Sequence, residues 1–195
     1  MNFIKKLFGN YTEAKKDQEI KKQEVSLSLD DAFVHNFINK GGKFLYCTKM
    51  DEVLANLQNI LLENSWDTLI CSDFDLLKLA KNTNVKTIEK FGNTYPFFTT
   101  CEHLISNEGN IMFTSNQIGG NKYASFSDDF IVYATTSQIV KDTGEGLTSI
   151  KTRFSGNLPT NIGAIKNYRL NSSESDIDLN TTNSKNLYLL LFEDF

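Results

Sequence analysis

The chain has no large excess of either charge. Across 195 residues, 20 Lys and Arg stand against 24 Asp and Glu, for a net charge of −4. That balance gives no general attraction to phosphate backbones or anionic lipid, so a nucleic-acid partner is not expected. Nor does any run approach the roughly 18 consecutive apolar residues of a membrane span. The opening MNFIKKLFGNYTEAKK puts lysines where a signal peptide carries its apolar stretch, so the expected location is the cytoplasm. Cysteine is scarce: Cys47, Cys71 and Cys101 are odd in number, widely spaced and next to apolar residues, the pattern of buried thiols in a reducing compartment. They cannot form the closely spaced run that holds an iron–sulfur cluster. Two histidines, His35 and His103, have no second His or Cys at ligand spacing, which argues against a zinc or non-haem iron site. No cofactor bound by this chain is expected. A GxSxG nucleophile elbow, a GxxxxGK[ST] phosphate loop and a GxGxxG dinucleotide turn are all missing.

What is present is a composition of 40% hydrophobic, 12% aromatic and 23% charged residues, that of one globular domain with a substantial core. Residues 1–24 hold six lysines against four acids and read as an N-terminal helical arm, with Phe3, Ile4, Leu7 and Phe8 at helical spacing. Such an arm docks on its own domain or on a symmetry mate, which makes a homo-oligomer an expectation; a short membrane-touching segment is the alternative. Residues 25–195 then form the compact domain.

Within it, Ser28 suits the cap of a helix whose inward stripe is Leu29, Phe33, Phe37 and Ile38, stopped by Gly41 and Gly42. A strand over 43–47, a helix opened by Asp51, an apolar strand over 68–72, a helix over 74–80 and a strand around Ile88 come next. Alternation of helix and strand predicts a mainly parallel sheet flanked by helices, an α/β fold. The segments HLIS and NIMFTS flank Asn107, Glu108 and Gly109 and predict a β-hairpin around residues 103–115. A strand over 130–134, a helix from Gln138 capped by Ser137, a helix with Pro159 in its first turn, and a terminal strand over 187–195 complete the chain. The polar stretch 171–185 reads as a mobile loop.

Candidate chemistry lies in loops. The hairpin turn places the carboxylate of Glu108 where backbone N–H groups can converge, as a base or nucleophile; a plain exposed hairpin tip is the alternative. The turn Ser155, Gly156, Asn157, Leu158, Pro159, Thr160, Asn161 leads into an expected helix N-terminus, a place for a phosphate or carboxylate, with a self-satisfied helix cap as the alternative. Lys122, in the loop after Gly119 and Gly120, could cover such a site, or simply be solvated.

The order of these segments resembles the LUD-domain family, the lactate-utilisation proteins, over roughly residues 27–195. The resemblance is carried by DDAFVHNFINKGGKFLYC, HLISNEGNIMFTS, FIVYATTSQIV and FSGNLPTNIGAI. The family's Glu-Thr-Gly-Thr turn falls on Asn107, Glu108, Gly109 and Asn110, with the glycine matching. Its arginine falls on Lys122 and its serine on Ser125, while Asp128, Asp129 and Phe130 stand where the family has a Pro and a His. Its Ser-Gly-Pro-Ser turn begins as Ser155 and Gly156 and departs to Asn157 and Leu158, while Thr160 and Ile162 resemble the family's next Thr and Ile. Its late His-Gly-Pro element has no counterpart in 171–185.

The resemblance implies a fold similar to ribose-phosphate isomerases and CoA transferases. The ligand-binding set it brings together with the loop readings is Asn107, Gly109, Lys122, Ser125, Ser155, Gly156, Asn157 and Thr160. It also implies a role as an accessory, non-redox component beside separate iron–sulfur subunits in the oxidation of lactate to pyruvate, binding a small anion or a partner subunit. Two other classes stay open: a stand-alone isomerase- or transferase-like enzyme on a small phosphate, carboxylate or CoA-linked substrate, using Glu108, and a non-catalytic interaction module.

Overall fold

Ser28 turns the chain into α1 (Leu29–Asn39) by accepting the amide of Asp31 at 3.3 Å, with Asp30 and Asp31 in the positive first turn. We describe residues 27–168 and 184–194 of a computed structural model; the N-terminal arm and most of the polar 171–185 stretch lie outside the described residues. Only Phe33 and Phe37 of the expected α1 stripe are fully buried, whereas Leu29 and Ile38 remain 47% exposed. The helix packs through a narrow aromatic ridge, and Gly42 is needed behind it, because a Cβ there would lie 2.4 Å from the Phe37 ring.

The remaining elements are β1 (Lys43–Cys47), α2 (Met50–Glu63), β2 (Thr68–Ile70), α3 (Phe74–Lys81), β3 (Lys86–Ile88), β4 (Phe97–Thr100), β5 (His103–Ile105), β6 (Asn110–Phe113), α4 (Ser115–Ile118), β7 (Asp129–Thr135), β8 (Ile139–Val140), α5 (Thr143–Arg153), β9 (Gly163–Ile165) and β10 (Asn186–Phe192). Six strands form a wholly parallel sheet in the order β1-β10-β7-β4-β2-β3. The expected α/β architecture, with helices on a parallel sheet, is what is found. β10 lies inside the sheet, between β1 and β7, which explains the unbroken apolar run from Leu187 to Leu191.

Alternation along the central strands sends Phe130, Val132, Leu187, Leu189 and Leu191 to one face, and Ile131, Tyr188 and Leu190 to the other. On the second face lie Val53, Leu57 and Ile60 of α2 with Leu76 and Ala80 of α3. On the first lie Phe33 and Phe37 of α1, together with Leu104, Ile111, Phe113 and Ile165. These last residues belong to a second, four-stranded sheet in the order β8-β5-β6-β9. The expected hairpin is its centre, with His103 opposite Met112 and Ile105 opposite Asn110. Its outer face carries Ile105, Met112 and Val140, covered by Ile150 of α5. Gly146 permits that contact: its Cβ position lies 3.3 Å from the Met112 methyl.

Two expectations fail after residue 134. Ser137 does not start a helix: residues 136–138 are one 3-10 turn, and the Gln138 side chain accepts from the Thr135 amide at 2.8 Å before the chain enters β8. The helix begins at Thr143, capped by Asp142, which accepts the Glu145 amide at 2.9 Å. Residues 159–168 contain no helix. There the backbone instead pairs with the start of α4, Ser115 donating to the Thr160 carbonyl at 2.9 Å and the Thr160 amide donating to Ser115 Oγ at 2.9 Å.

Candidate functional site

The hairpin tip is built as a joint against α1. Gly109 adopts φ +61°, and a Cβ on it would fall 2.4 Å from the Phe37 amide nitrogen, so the tip sits directly on helix backbone. Asn36 Nδ2 donates to the carbonyls of Ser106 at 2.9 Å and Asn107 at 3.3 Å, and the Tyr168 hydroxyl donates to the Gly109 carbonyl at 2.8 Å. The Asn107 amide donates to the Lys141 carbonyl at 3.0 Å. Asn110, 1% exposed, accepts Lys40 Nζ at 2.9 Å and donates to the Glu108 carboxylate. Glu108 itself is exposed and also accepts from Thr143 Oγ1 at 3.4 Å. Partial burial holds the Lys40 ammonium below the usual lysine pKa; Glu108 opposes that shift and Lys166 adds to it.

Lys166 belongs to a second feature, an open cavity of about 360 Å³ between the end of β9 and the turn before β7. Its lining is Lys122, Tyr123 and Ala124 on one side, Ala164 to Asn167 on the other, and Lys185. Among these described lining residues three are cationic and none is acidic. Lys185 is 4% exposed, and its ammonium donates to the Ser127 carbonyl at 3.0 Å and to Asp128 Oδ1 at 3.2 Å while lying 5.5 Å from the Phe130 ring centroid. That pairing answers the cost of burying the charge and makes Lys185 a fixed wall. Lys122 and Lys166 are exposed and make no side-chain hydrogen bond or ion pair among the described residues. The Tyr123 ring fits only because residue 163 is glycine, whose Cβ position lies 2.9 Å from the phenol oxygen. That hydroxyl is buried without a partner, and burial pushes its pKa up, so it stays protonated.

The other expected site residues fall elsewhere. Ser125 closes its own turn, donating to the Lys122 carbonyl at 2.7 Å. Ser155, Gly156 and Asn157 are exposed and follow the C-terminus of α5, with the Asn157 amide on the Phe154 carbonyl at 2.9 Å. The expected helix N-terminus is therefore not there; the chain leaves a helix end where carbonyls face outward, a poor setting for an anion. Thr160 is tied to Ser115. Glu108 touches Thr143 at the start of α5 and Ser155 lies just past its end, so the eleven residues of the helix, roughly 16 Å of axis, separate the two bends. The hairpin tip and the lysine cavity come near one another through Lys40 and Lys166, and the 155–157 turn stays away.

Sequence reasoning missed Lys166, Lys185 and Tyr123. It also missed a buried carboxylate, Glu102, 3% exposed, which pairs with Arg153 and accepts from Thr114 Oγ1 at 3.0 Å, Gln117 Nε2 at 2.9 Å and Asn116 Nδ2 at 3.4 Å. It fastens α4 and the end of α5 to the small sheet. Among the described residues, no group of three His, Cys, Asp or Glu is arranged to hold a metal ion, and no helix is long and apolar enough to cross a membrane.

No protein-family model and no curated protein sequence matches the chain. Its structure is similar to the crystal structure of a DUF162 family protein from Deinococcus radiodurans, with a TM-score of 0.61 over 86% of this chain and 99% of that one, at 14% sequence identity. At that identity the likeness is one of fold.

Proposed function

We propose that this protein is a LUD-domain component of lactate utilisation, a non-redox accessory that works beside separate iron–sulfur subunits and holds a small anion at the lysine-lined cavity. The fold likeness supports the family, DUF162 being the LUD domain. The observation that carries the ligand reading is the cavity itself: two unpaired, exposed ammonium groups, Lys122 and Lys166, face a partly apolar hollow with no acid among its described lining residues. Lys122 is where the family's arginine falls. Deletion of the gene should impair growth on lactate, and the tagged full chain should co-purify from its native cell with an iron–sulfur lactate-oxidising subunit. Normal growth on lactate together with no such partner would overturn the assignment.

The second reading is an isomerase- or transferase-like enzyme with Glu108 as base or nucleophile. It draws on the field that Glu108 and Lys166 share at Lys40, which puts a carboxylate within electrostatic range of the cavity. Against it stands the distance from Glu108 to the 155–157 turn.

A further inference from the structure

We infer that α5 is a proton-sensitive cover on the small sheet: protonation of His103, buried beneath it, lifts the first half of the helix and uncovers the outer face of the hairpin. This inference stands apart from the lysine cavity and from any ligand.

His103 is 6% exposed and faces α5 by register. It lies opposite Met112 and two residues before Ile105, and the Met112 sulfur and the Ile105 Cδ1 methyl each lie 3.4 Å from the Cβ position of Gly146 in α5. Its Nδ1 is 3.2 Å from the Gln138 carbonyl oxygen. A carbonyl only accepts, so Nδ1 carries the proton of the neutral ring and Nε2 presents a bare lone pair. That nitrogen is buried with no partner among the described residues. Protonating it would place a positive charge and a donor without an acceptor in the same enclosure, so the closed interface favours the neutral ring.

The charged groups on the elements around His103 are Glu102 just before β5, Lys141 after β8, Asp142 and Glu145 at the start of α5, and Lys151 and Arg153 toward its end. Glu145 acts on the ring in favour of its protonation, but its carboxylate is held by the Lys141 amide at 2.7 Å, and Glu102 is paired with Arg153. Burial is the larger influence and holds the His103 pKa below the usual histidine value.

The half of α5 over His103 is also its weaker half. It contains Gly144 and Gly146, residues of low helix propensity, whereas Ile150 and Arg153 fasten the other half to the small core and to Glu102. Once that first half lifts, water solvates the ring, which then titrates near its ordinary value of about 6.5. A base held below its open-state pKa favours the closed form above that value and the open form as pH falls through it. Between pH 7.5 and 5.5 the open-to-closed ratio rises by up to about tenfold. Opening also breaks the contact between Thr143 and Glu108, so the switch reaches the hairpin tip.

The test uses the full chain, whose two histidines are readily told apart. NMR titration of the ring signals should show exposed His35 titrating normally, and His103 as the Nδ1–H tautomer at pH 7.5, titrating below His35. Amide hydrogen exchange, referred to each amide's intrinsic rate, should show protection over residues 145–149 falling about threefold to tenfold from pH 7.5 to 5.5, while these amides stay less protected than those of β10 at both values. In His103→Asn, whose amide can still donate to the Gln138 carbonyl, and in His103→Gln, the fall should vanish. An Nε2–H tautomer, His103 titrating with or above His35, or a change in α5 protection under twofold would overturn the inference. So would the same fall in a folded variant, or α5 and β10 exchanging together at pH 5.5, which would mean global unfolding instead of a lifted helix. Should neither variant fold, the native chain's titration and exchange decide alone.

Discussion

Replacing Gly109 by alanine separates a packing role for the hairpin tip from a ligand-binding one. The new Cβ would lie 2.4 Å from the Phe37 amide nitrogen, 2.5 Å from the Asn36 carbonyl carbon and 2.9 Å from its oxygen, all backbone atoms of α1 that cannot rotate away. A residue with a Cβ also disfavours φ near +60° by about 1–2 kcal/mol, and forcing a packed contact apart adds about 1–3 kcal/mol. The cost is therefore roughly 2–5 kcal/mol, against a net stability of about 5–15 kcal/mol for a domain. Urea unfolding followed by circular dichroism reads it directly. The midpoint should fall by about 1–2 M, with the slope unchanged at about 1–3 kcal/mol per molar. Affinity for the cavity's ligand should stay within twofold in the folded variant. A midpoint unchanged within error would mean that the tip does not rest on α1 as described. An unchanged midpoint with lost ligand binding would return Gly109 to the ligand-binding set.

The other predictions concern buried polar groups and close contacts. Arg153→Ala leaves the buried Glu102 carboxylate with Thr114, Gln117 and Asn116 as its remaining donors. Because Arg153 is half-exposed, we expect a loss of about 1–3 kcal/mol in chemical denaturation, partly recovered in the Glu102→Gln/Arg153→Ala double variant; strict additivity would refute the pairing. Gly163→Ala should cost about 1–3 kcal/mol by pressing on the Tyr123 ring, whereas Tyr123→Phe, which removes a partnerless buried hydroxyl, should be neutral or stabilising. Burial, the largest single influence, would raise the Asp194 carboxyl, but hydrogen bonds from Ser137, Thr136 and Thr135 together outweigh it and hold the group at about 2. A carboxyl held below its unfolded value contributes stability that is present above the unfolded pKa and is lost as pH falls through the folded one. Acid titration of stability should therefore show a step between about pH 4 and pH 2 that Asp194→Asn removes.

Much of the fold can be read from short-range pattern. The helices and strands from Leu29 to Ile88 alternate cleanly, and the side chains of Ser28 and Asp73 cap α1 and α3. The hairpin is equally local, since Gly109 at positive φ fixes the turn. Beyond β7, local signals mislead. Ser137 resembles a cap, but Gln138 is committed to the nearby Thr135 amide and to the Cys101 carbonyl, the second a contact set by a distant segment. The sequence TGEGLTSIKTR of α5 hides its helix behind two glycines, one of which is required by Met112 and Ile105 across the small sheet. The small sheet escapes a linear reading because β8 and β9 are two and three residues long and gain meaning only by pairing with the hairpin. The cavity is hidden for the same reason: Lys122, Lys166 and Lys185 are far apart in sequence and meet only through tertiary packing.

The most direct measurement of the central claim is amide chemical-shift mapping of the labelled full chain during titration with small anionic probes, lactate and glycerol 3-phosphate. Saturable shifts should concentrate at Lys122, Tyr123, Ala124, Lys166, Asn167 and Lys185, with Ser155, Gly156 and Asn157 unmoved. Shifts centred on the 155–157 turn, or no saturable shift around the three lysines, would contradict it.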